Sequence, residues 1–148
     1  MGGTAGPGRD RPSPAGRDVI LADTHLVVAL ARPSDPDRAR DLALVAEHQA
    51  ETGQPLVVVE SVLVETVWVL RASYGMDRSD IARLLGRVLS TPALIPWDDT
   101  VAFAALDLMA EDPALDIADC ILAAMSVHRG AGVATLDRRL LLVLGAGE

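Results

Sequence analysis

Lysine is absent from this sequence, and all 13 basic residues are arginines. Only one cysteine is present, Cys120, which excludes an internal disulfide and a cysteine-based metal site and is typical of a reducing compartment. The three histidines, at positions 25, 48 and 128, lack the spacing of a zinc motif such as HExxH. Disulfide-rich and zinc-dependent proteins are therefore disfavoured from the start.

Long hydrophobic runs are also absent, because charged or polar residues interrupt every run before the roughly 18 residues that a membrane span needs. Residues 1–17 are mainly Gly, Pro and Arg, lack a secretory h-region and are predicted to be a disordered extension. Residues 18–148 are predicted to form a single domain, since half of the whole chain is apolar. We expect a soluble, cytoplasmic protein that does not contact a membrane.

The net charge is −8, which argues against binding nucleic acid through a broad basic surface. It does not exclude a nucleic-acid enzyme whose acidic site is neutralised by metal ions.

Apolar runs and helical periodicity alternate along the whole domain. Short buried strands are predicted at 19–21, 56–59, 93–96 and 132–136. A first helix is predicted for the apolar run that follows Asp23 and extends to Leu30. Further helices are predicted at 37–51, 61–74, 77–89, 101–110 and 116–129, and residues 138–144 form a last apolar segment of uncertain type. This alternation predicts an α/β fold, a three-layer α/β/α sandwich around a parallel sheet of four to five strands.

Two aspartates directly follow predicted strands. Asp23 follows the first strand and Asp137 follows the fourth. Ligands bind at the carboxyl edge of parallel sheets, and neighbouring strands lie about 4.8 Å apart, so these two carboxylates are expected at one edge. The alternatives are an ordinary turn or helix N-cap for Asp23, and an ion pair with Arg138 or Arg139 for Asp137.

Three further acids lie in predicted helices. Glu65 stands among apolar residues in VLVETVWVL, where an ionised carboxylate is costly unless it is paired, hydrogen-bonded or bound to a metal. A salt bridge to Arg71 is the alternative. Asp116 and Asp119 open the helix in LDIADCILAA, where an N-cap role accounts for Asp116 and Asp119 is expected to face inward.

Four carboxylates gathered at one place repel one another and therefore bind protons or a cation. The set is Asp23, Glu65, Asp119 and Asp137. Oxygen ligands without cysteine or histidine suit a hard ion, Mg²⁺ or Mn²⁺. The chemistry that this predicts is metal-assisted hydrolysis of a phosphate ester.

The segments LADTHLVVAL, VLVETVWVL, LDIADCILAA and ATLDRRL, in this order, resemble a PIN domain, most closely the VapC-type toxin ribonucleases of bacterial toxin–antitoxin pairs. The resemblance covers about residues 18–142. It implies a PIN-like sandwich and one Mg²⁺ or Mn²⁺ ion held chiefly by Asp23 and Asp119, with Glu65 and Asp137 completing the acidic pocket. Thr135, which matches a small hydroxyl residue that orients water or metal, and Asp116 are auxiliary candidates.

The resemblance also implies a function and partners. The implied reaction is hydrolysis of RNA to a 5′-phosphate and a 3′-hydroxyl. Because the overall charge is negative, we expect substrate binding to rely on the metal and on a few arginines such as Arg71 or Arg32. A homodimer is implied, as is a small antitoxin that places an arginine among the carboxylates. Two departures stand out: His25 replaces the usual Asn after the Asp-Thr pair, and the chain ends soon after Asp137, so that we expect a final edge strand to be short or missing.

Two alternatives belong to other functional classes. Phosphoaspartate proteins, such as receiver domains and haloacid-dehalogenase-like phosphatases, also carry Asp at strand ends, but both use a lysine, which this chain lacks. A non-catalytic PIN-like module whose acids bind arginines of a protein partner stays open. Metal-dependent cleavage of RNA distinguishes that module from a nuclease.

Overall fold

The computed structural model describes residues 19–145, and the predicted disordered extension at residues 1–17 lies outside them. The strands are β1 (Ile20–Leu21), β2 (Leu56–Val58) and β3 (Leu94–Pro96). The helices are α1 (Thr24–Ala31), α2 (Arg38–Thr52), α3 (Glu60–Ala72), α4 (Arg78–Val88), α5 (Asp99–Glu111), α6 (Ile117–Arg129) and α7 (Arg138–Val143).

The sheet is parallel, with strand order β1-β2-β3. Leu56 is the register partner of Ile20 on one side and of Leu94 on the other, so β2 is the central strand. Each strand is followed by at least one helix, as expected when parallel strands are joined by crossover connections. The predicted α/β class with a parallel sheet is confirmed.

The fourth strand is not formed, and the prediction of a strand at 132–136 is wrong. Residues 19–145 contain three strands rather than four or five, and residues 130–137 have no regular structure. This segment contains two glycines and two alanines, which favour strands weakly, and its Leu136 is 98% exposed. The outer edge of β1 is consequently unpaired in the sheet, and Ile20 and Leu21 are exposed instead of buried as predicted.

The core lies between β2, β3 and the helices, with the closest helix packing between α5 and α6 and between α4 and α5. Its largest fully buried side chains include Leu63, Leu70, Ile81, Leu106 and Met109. Each of these contributes about 1.5–3 kcal/mol through removal from water. Within residues 19–145, none of the helices has the length and apolarity that a bilayer crossing requires.

Most of the described helices have an aspartate as their N-cap residue. Five helices begin after an aspartate whose carboxylate accepts a backbone N–H from the first turn, namely Asp23, Asp77, Asp98, Asp116 and Asp137. Such a cap stabilises a helix by about 1 kcal/mol. Three of the candidate site residues therefore have a structural role as well, which fixes where their side chains point.

Candidate active site

Asp23 ends β1 and caps α1. The Ala22 N–H continues the sheet by donating to the Val57 carbonyl at 2.8 Å, and the chain then turns at Asp23. Oδ1 of Asp23 accepts the Leu26 N–H at 2.9 Å, while Oδ2 accepts no hydrogen bond from the described residues. The N-cap interpretation of Asp23 is thus correct, and one exposed carboxylate oxygen stays available to a ligand.

Glu65 of α3 is exposed, so the prediction that the helix buries it is wrong. The reason is that only one face of α3 is buried. Glu65 lies on the solvent-exposed face, and the residues that face the core are Leu63, Thr66, Val67 and Leu70. Oε1 of Glu65 accepts a hydrogen bond from Thr24 Oγ1 at 2.5 Å. This bond links α1 to α3 across 41 residues of sequence and places Glu65 beside the residue that follows Asp23.

The salt bridge considered for Glu65 is not formed. No ion pair within residues 19–145 joins Glu65 to Arg71 or to another arginine. We call Asp23 and Glu65 the α1–α3 acid pair, because Thr24 connects the two helices that carry them. Both carboxylates accept a hydrogen bond from a neutral donor.

Asp116, Asp119 and Asp137 form a second group, the α6–α7 acid cluster. Oδ1 of Asp116 caps α6 by accepting the Asp119 N–H at 3.0 Å. Asp119 is half-buried in the first turn of α6. Its pKa is raised above the usual value, first by burial and then by the negative charges of Asp116 and Asp137. No arginine in the described chain forms an ion pair with these three acids.

Asp137 reaches this cluster from an irregular segment, not from the end of a strand. Its Oδ1 caps α7 by accepting the Arg139 N–H at 2.9 Å and the Leu140 N–H at 3.4 Å. Thr135 Oγ1 accepts the Asp137 N–H at 3.0 Å, so the hydroxyl predicted to orient water or metal positions the acid itself. The alternative of an ion pair with Arg138 or Arg139 is not realised within residues 19–145.

The donor atoms fit a hard divalent cation, because every candidate ligand is a carboxylate oxygen and Asp119 lies among like charges that such an ion relieves. The fit is incomplete in this conformation. Within the described part of the chain, no group of three or more His, Cys, Asp or Glu side chains is placed to hold a metal ion. The structure thus forms the α1–α3 acid pair and the α6–α7 acid cluster without joining them in one closed site.

A comparison with known protein families shows which family this chain belongs to. The PIN domain model matches residues 20–143, which include all four candidate acids. The chain belongs to the PIN domain family. PIN domains are nucleases that typically use divalent metals, and membership supports a nuclease-type, hydrolytic function. Neither the comparison with curated proteins nor that with solved structures finds a match.

His25 and Cys120 also lie near the acids of this PIN domain in the sequence, and neither is a candidate ligand or nucleophile. His25 lies with Nε2 3.1 Å from Asp37 Oδ2 and links α1 to the start of α2. Cys120 follows Asp119, but it is buried, and burial raises the pKa of its thiol to about 11. The thiol is therefore protonated at neutral pH and is not a nucleophile.

Three residues that matter to this PIN domain were not singled out from the sequence. Thr24 holds Glu65, and its only sequence signal is a hydroxyl placed directly after Asp23. Trp68 lies three residues after Glu65, on the same helix face, yet its apolar neighbours indicated burial. Arg78 holds the α5–α6 connection through the carbonyls of Met109 and Asp112, each at 3.2 Å, and of Leu115, and no sequence pattern marks such partners.

Proposed function

We propose that this PIN domain is a metal-dependent endoribonuclease that hydrolyses RNA phosphodiester bonds to a 5′-phosphate and a 3′-hydroxyl. The family match over residues 20–143 carries the proposal, since it spans every acid that the reaction needs. The net charge of −8 agrees with a substrate bound at a metal site and at a few arginines rather than along a broad basic surface.

The proposed cation is Mg²⁺ or Mn²⁺, held chiefly by Asp23 and Asp119 and supported by Glu65 and Asp137. The free Oδ2 of Asp23 and the crowded charge around Asp119 support this assignment. When bound, the ion polarises the phosphate and lowers the pKa of water. The protein's own part is orientation: Thr24 holds Glu65 through a hydrogen bond to its carboxylate.

The same orienting role falls to Asp116, within the α6–α7 acid cluster, and to Thr135, beside it. The Asp116 carboxylate accepts the Asp119 N–H, and the Thr135 hydroxyl accepts the Asp137 N–H. Each contact fixes the backbone that carries a proposed metal ligand. Residues that support ligands in this way typically change metal affinity or activity by about 10- to 100-fold when mutated.

The proposed biological role is that of the toxin in a toxin–antitoxin pair, with a cognate antitoxin that covers the acids and a homodimer as the assembled form. Exposed apolar side chains on one helix, Leu122, Met125 and Val127 of α6, support a protein partner. An arginine of the antitoxin placed among unneutralised carboxylates is the expected inhibitory contact.

A second candidate is a non-catalytic module whose acids bind arginines of a partner. The separation of the two acid groups favours it, because neither group alone supplies three metal ligands. The two candidates differ in one measurable property, which is cleavage of RNA in the presence of a divalent ion.

The test uses the purified chain with 5′-labelled single-stranded RNA in Mg²⁺, in Mn²⁺ and in excess EDTA. Cleavage that requires the ion and disappears in Asp23→Asn supports the nuclease. RNA left intact by the wild type in both ions, by protein that still unfolds cooperatively, would favour the binding module. A reaction that proceeds equally in EDTA would contradict metal dependence.

A further inference from the structure

Trp68 is a large aromatic side chain that the fold leaves 65% exposed. It lies on α3 three residues after Glu65, so the two side chains are neighbours on one helix face, with Cβ atoms about 5–6 Å apart. An exposed tryptophan offers a rigid apolar plane with one N–H donor, and such residues are enriched where molecules bind.

Two hollows border Trp68. The larger has a volume of about 530 Å³ and lies between α3 and the start of α6, lined by Val64, Trp68, Arg71, Met76, Asp116 and Ile117 among others. A smaller one of about 430 Å³ is lined by Glu65 and Trp68 together with Ser61, Val62 and Val64. Both volumes fall in the range of small-ligand sites. Trp68 therefore lines both a cavity that includes Asp116 of the α6–α7 acid cluster and a hollow that includes Glu65 of the α1–α3 acid pair.

Arg71 supplies the positive charge of the larger cavity. It is exposed, and within residues 19–145 it has no ion pair and no side-chain hydrogen bond. Arg32, the other arginine considered for the substrate, differs in this respect. Its guanidinium stacks 3.6 Å from the centre of the Tyr74 ring and is ion-paired with Asp35 at 3.0 Å. Arg71 is thus the one of the two whose guanidinium is available to a phosphate.

We propose that this cavity, the Trp68 subsite, binds one nucleotide of the RNA strand next to the bond that is cut. The base stacks on the Trp68 indole, and Arg71 binds the phosphate of that nucleotide. This inference rests on the proposed nuclease function. It assigns to Trp68 and Arg71 a role in substrate binding rather than in the chemical step.

The lining of the cavity agrees with a nucleotide. Val64, Met76 and Ile117 provide an apolar wall for a base, and Arg71 provides a cation for a phosphate. Unpaired bases are commonly held by stacking on aromatic side chains, which tolerates any base because each has a π-face. The subsite therefore predicts binding of single-stranded RNA with weak preference for base identity.

Steady-state cleavage of a short single-stranded RNA tests both residues. We expect Trp68→Leu to raise KM about tenfold or more while kcat stays within about twofold, because stacking is lost and the acids are untouched. Trp68→Phe retains an aromatic plane and should recover most of the affinity. We expect Arg71→Gln to raise KM and to weaken the salt dependence of binding.

Arg87→Gln is the matched control for Arg71→Gln. Arg87 is also an exposed arginine in the last turn of a helix, α4, and it does not line the Trp68 subsite. The control removes the same charge from the protein and should leave KM unchanged. Equal KM increases in Arg71→Gln and Arg87→Gln would overturn the assignment of Arg71.

Fluorescence provides a readout that does not need cleavage. In a Trp97→Phe background Trp68 is the remaining tryptophan, and stacking of a base on it should quench its emission when the RNA is added with Ca²⁺ in place of Mg²⁺. Quenching in a protein that cuts no RNA would contradict the nuclease function but support RNA binding at the Trp68 subsite. Cleavage with normal KM in both Trp68→Leu and Arg71→Gln would overturn the subsite and keep the nuclease.

Two remaining outcomes would also overturn the subsite. One is the absence of both cleavage and quenching, which would contradict the nuclease as well. The other is a Trp68→Leu variant that changes from dimer to monomer in sedimentation while its KM stays normal, which would make this face a contact between two copies of the chain.

Discussion

The α1–α3 acid pair and the α6–α7 acid cluster differ in how their carboxylates are stabilised. In the pair, a hydroxyl and a backbone amide donate to the carboxylates, so each acid is locally stabilised. In the cluster, backbone amides also donate to Asp116 and Asp137, but burial and then the neighbouring acids raise the pKa of Asp119, and no arginine of the described chain forms an ion pair with it. The ionised form of Asp119 is therefore the one that the proposed cation would stabilise, whereas Asp23 and Glu65 are oriented by hydrogen bonds.

Asp119→Asn breaks the cluster and should have the largest effect. We expect RNA cleavage to fall at least about 100-fold, because a proposed metal ligand is lost. Metal-free stability should rise slightly at neutral pH. The raised pKa of Asp119 means that its ionised form opposes folding, so this gain vanishes as pH falls below about 3.9 and the wild-type group becomes protonated.

Asp80→Asn is the control for Asp119→Asn. Asp80 also lies in the first turn of a helix, α4, but its ion-pair partner is Arg83, outside both acid groups. Its activity should stay within about twofold of the wild type. A comparable loss of cleavage in both variants would contradict a specific role of the α6–α7 acid cluster in cleavage.

Arg78→Met tests the segment that carries the cluster. Its guanidinium donates to three carbonyls of the α5–α6 connection, which leads directly to Asp116. Leaving those carbonyls without a charged donor should cost about 2 kcal/mol of the free energy of unfolding, measured by urea denaturation. Arg83→Met removes an exposed arginine from the same helix and should cost about 0.5 kcal/mol or less; equal losses would show that the three bonds are not special.

Thr24→Val breaks the α1–α3 acid pair without changing any charge. The variant keeps the shape of the side chain and removes the hydroxyl that holds Glu65. We expect about a tenfold loss of cleavage and about 1 kcal/mol of stability. Thr24→Ser retains the hydroxyl and should retain most of the activity, whereas a Ser variant as impaired as the Val variant would refute the hydrogen bond as the cause.

Asp98 gives the smallest effect and serves as a reference for both acid groups, because an arginine does neutralise it. Arg129 donates to its two oxygens at 2.7 and 3.0 Å and lowers its pKa. Its stabilising contribution is therefore present above the unfolded pKa of about 3.9 and is lost as pH falls through the folded value. Asp98→Asn keeps the cap and should cost about 1 kcal/mol or less at pH 7. That difference should shrink below pH 4; a constant difference in melting temperature would contradict the ion pair.

Much of the secondary structure follows from local pattern. The apolar periodicity of residues 37–51 and 77–89 predicts α2 and α4 to within one or two residues, and the aspartate caps account for where α5 and α6 begin. The predicted fourth strand does not form because a strand needs a hydrogen-bonding partner as well as an apolar pattern, and Gly132 and Ala134 have little β preference.

The candidate site is less predictable, because contacts between distant residues decide it. The burial expected for Glu65 depended on which side of an almost wholly apolar helix faces the core, and neighbouring helices decide that. The Thr24–Glu65 bond spans 41 residues, and the carbonyl partners of Arg78 carry no side-chain signature. Asp137 does not follow a strand as predicted, yet it lies near enough to Asp119 to raise the pKa of Asp119.

The most direct test of the central claim is a crystal structure grown with Mn²⁺, in which anomalous scattering locates the ion. We expect one ion with carboxylate oxygens of both Asp23 and Asp119 at about 2.0–2.4 Å, so that the two acid groups close around it. An ion held by the α6–α7 acid cluster alone, with Asp23 still acting only as a helix cap, would contradict the account.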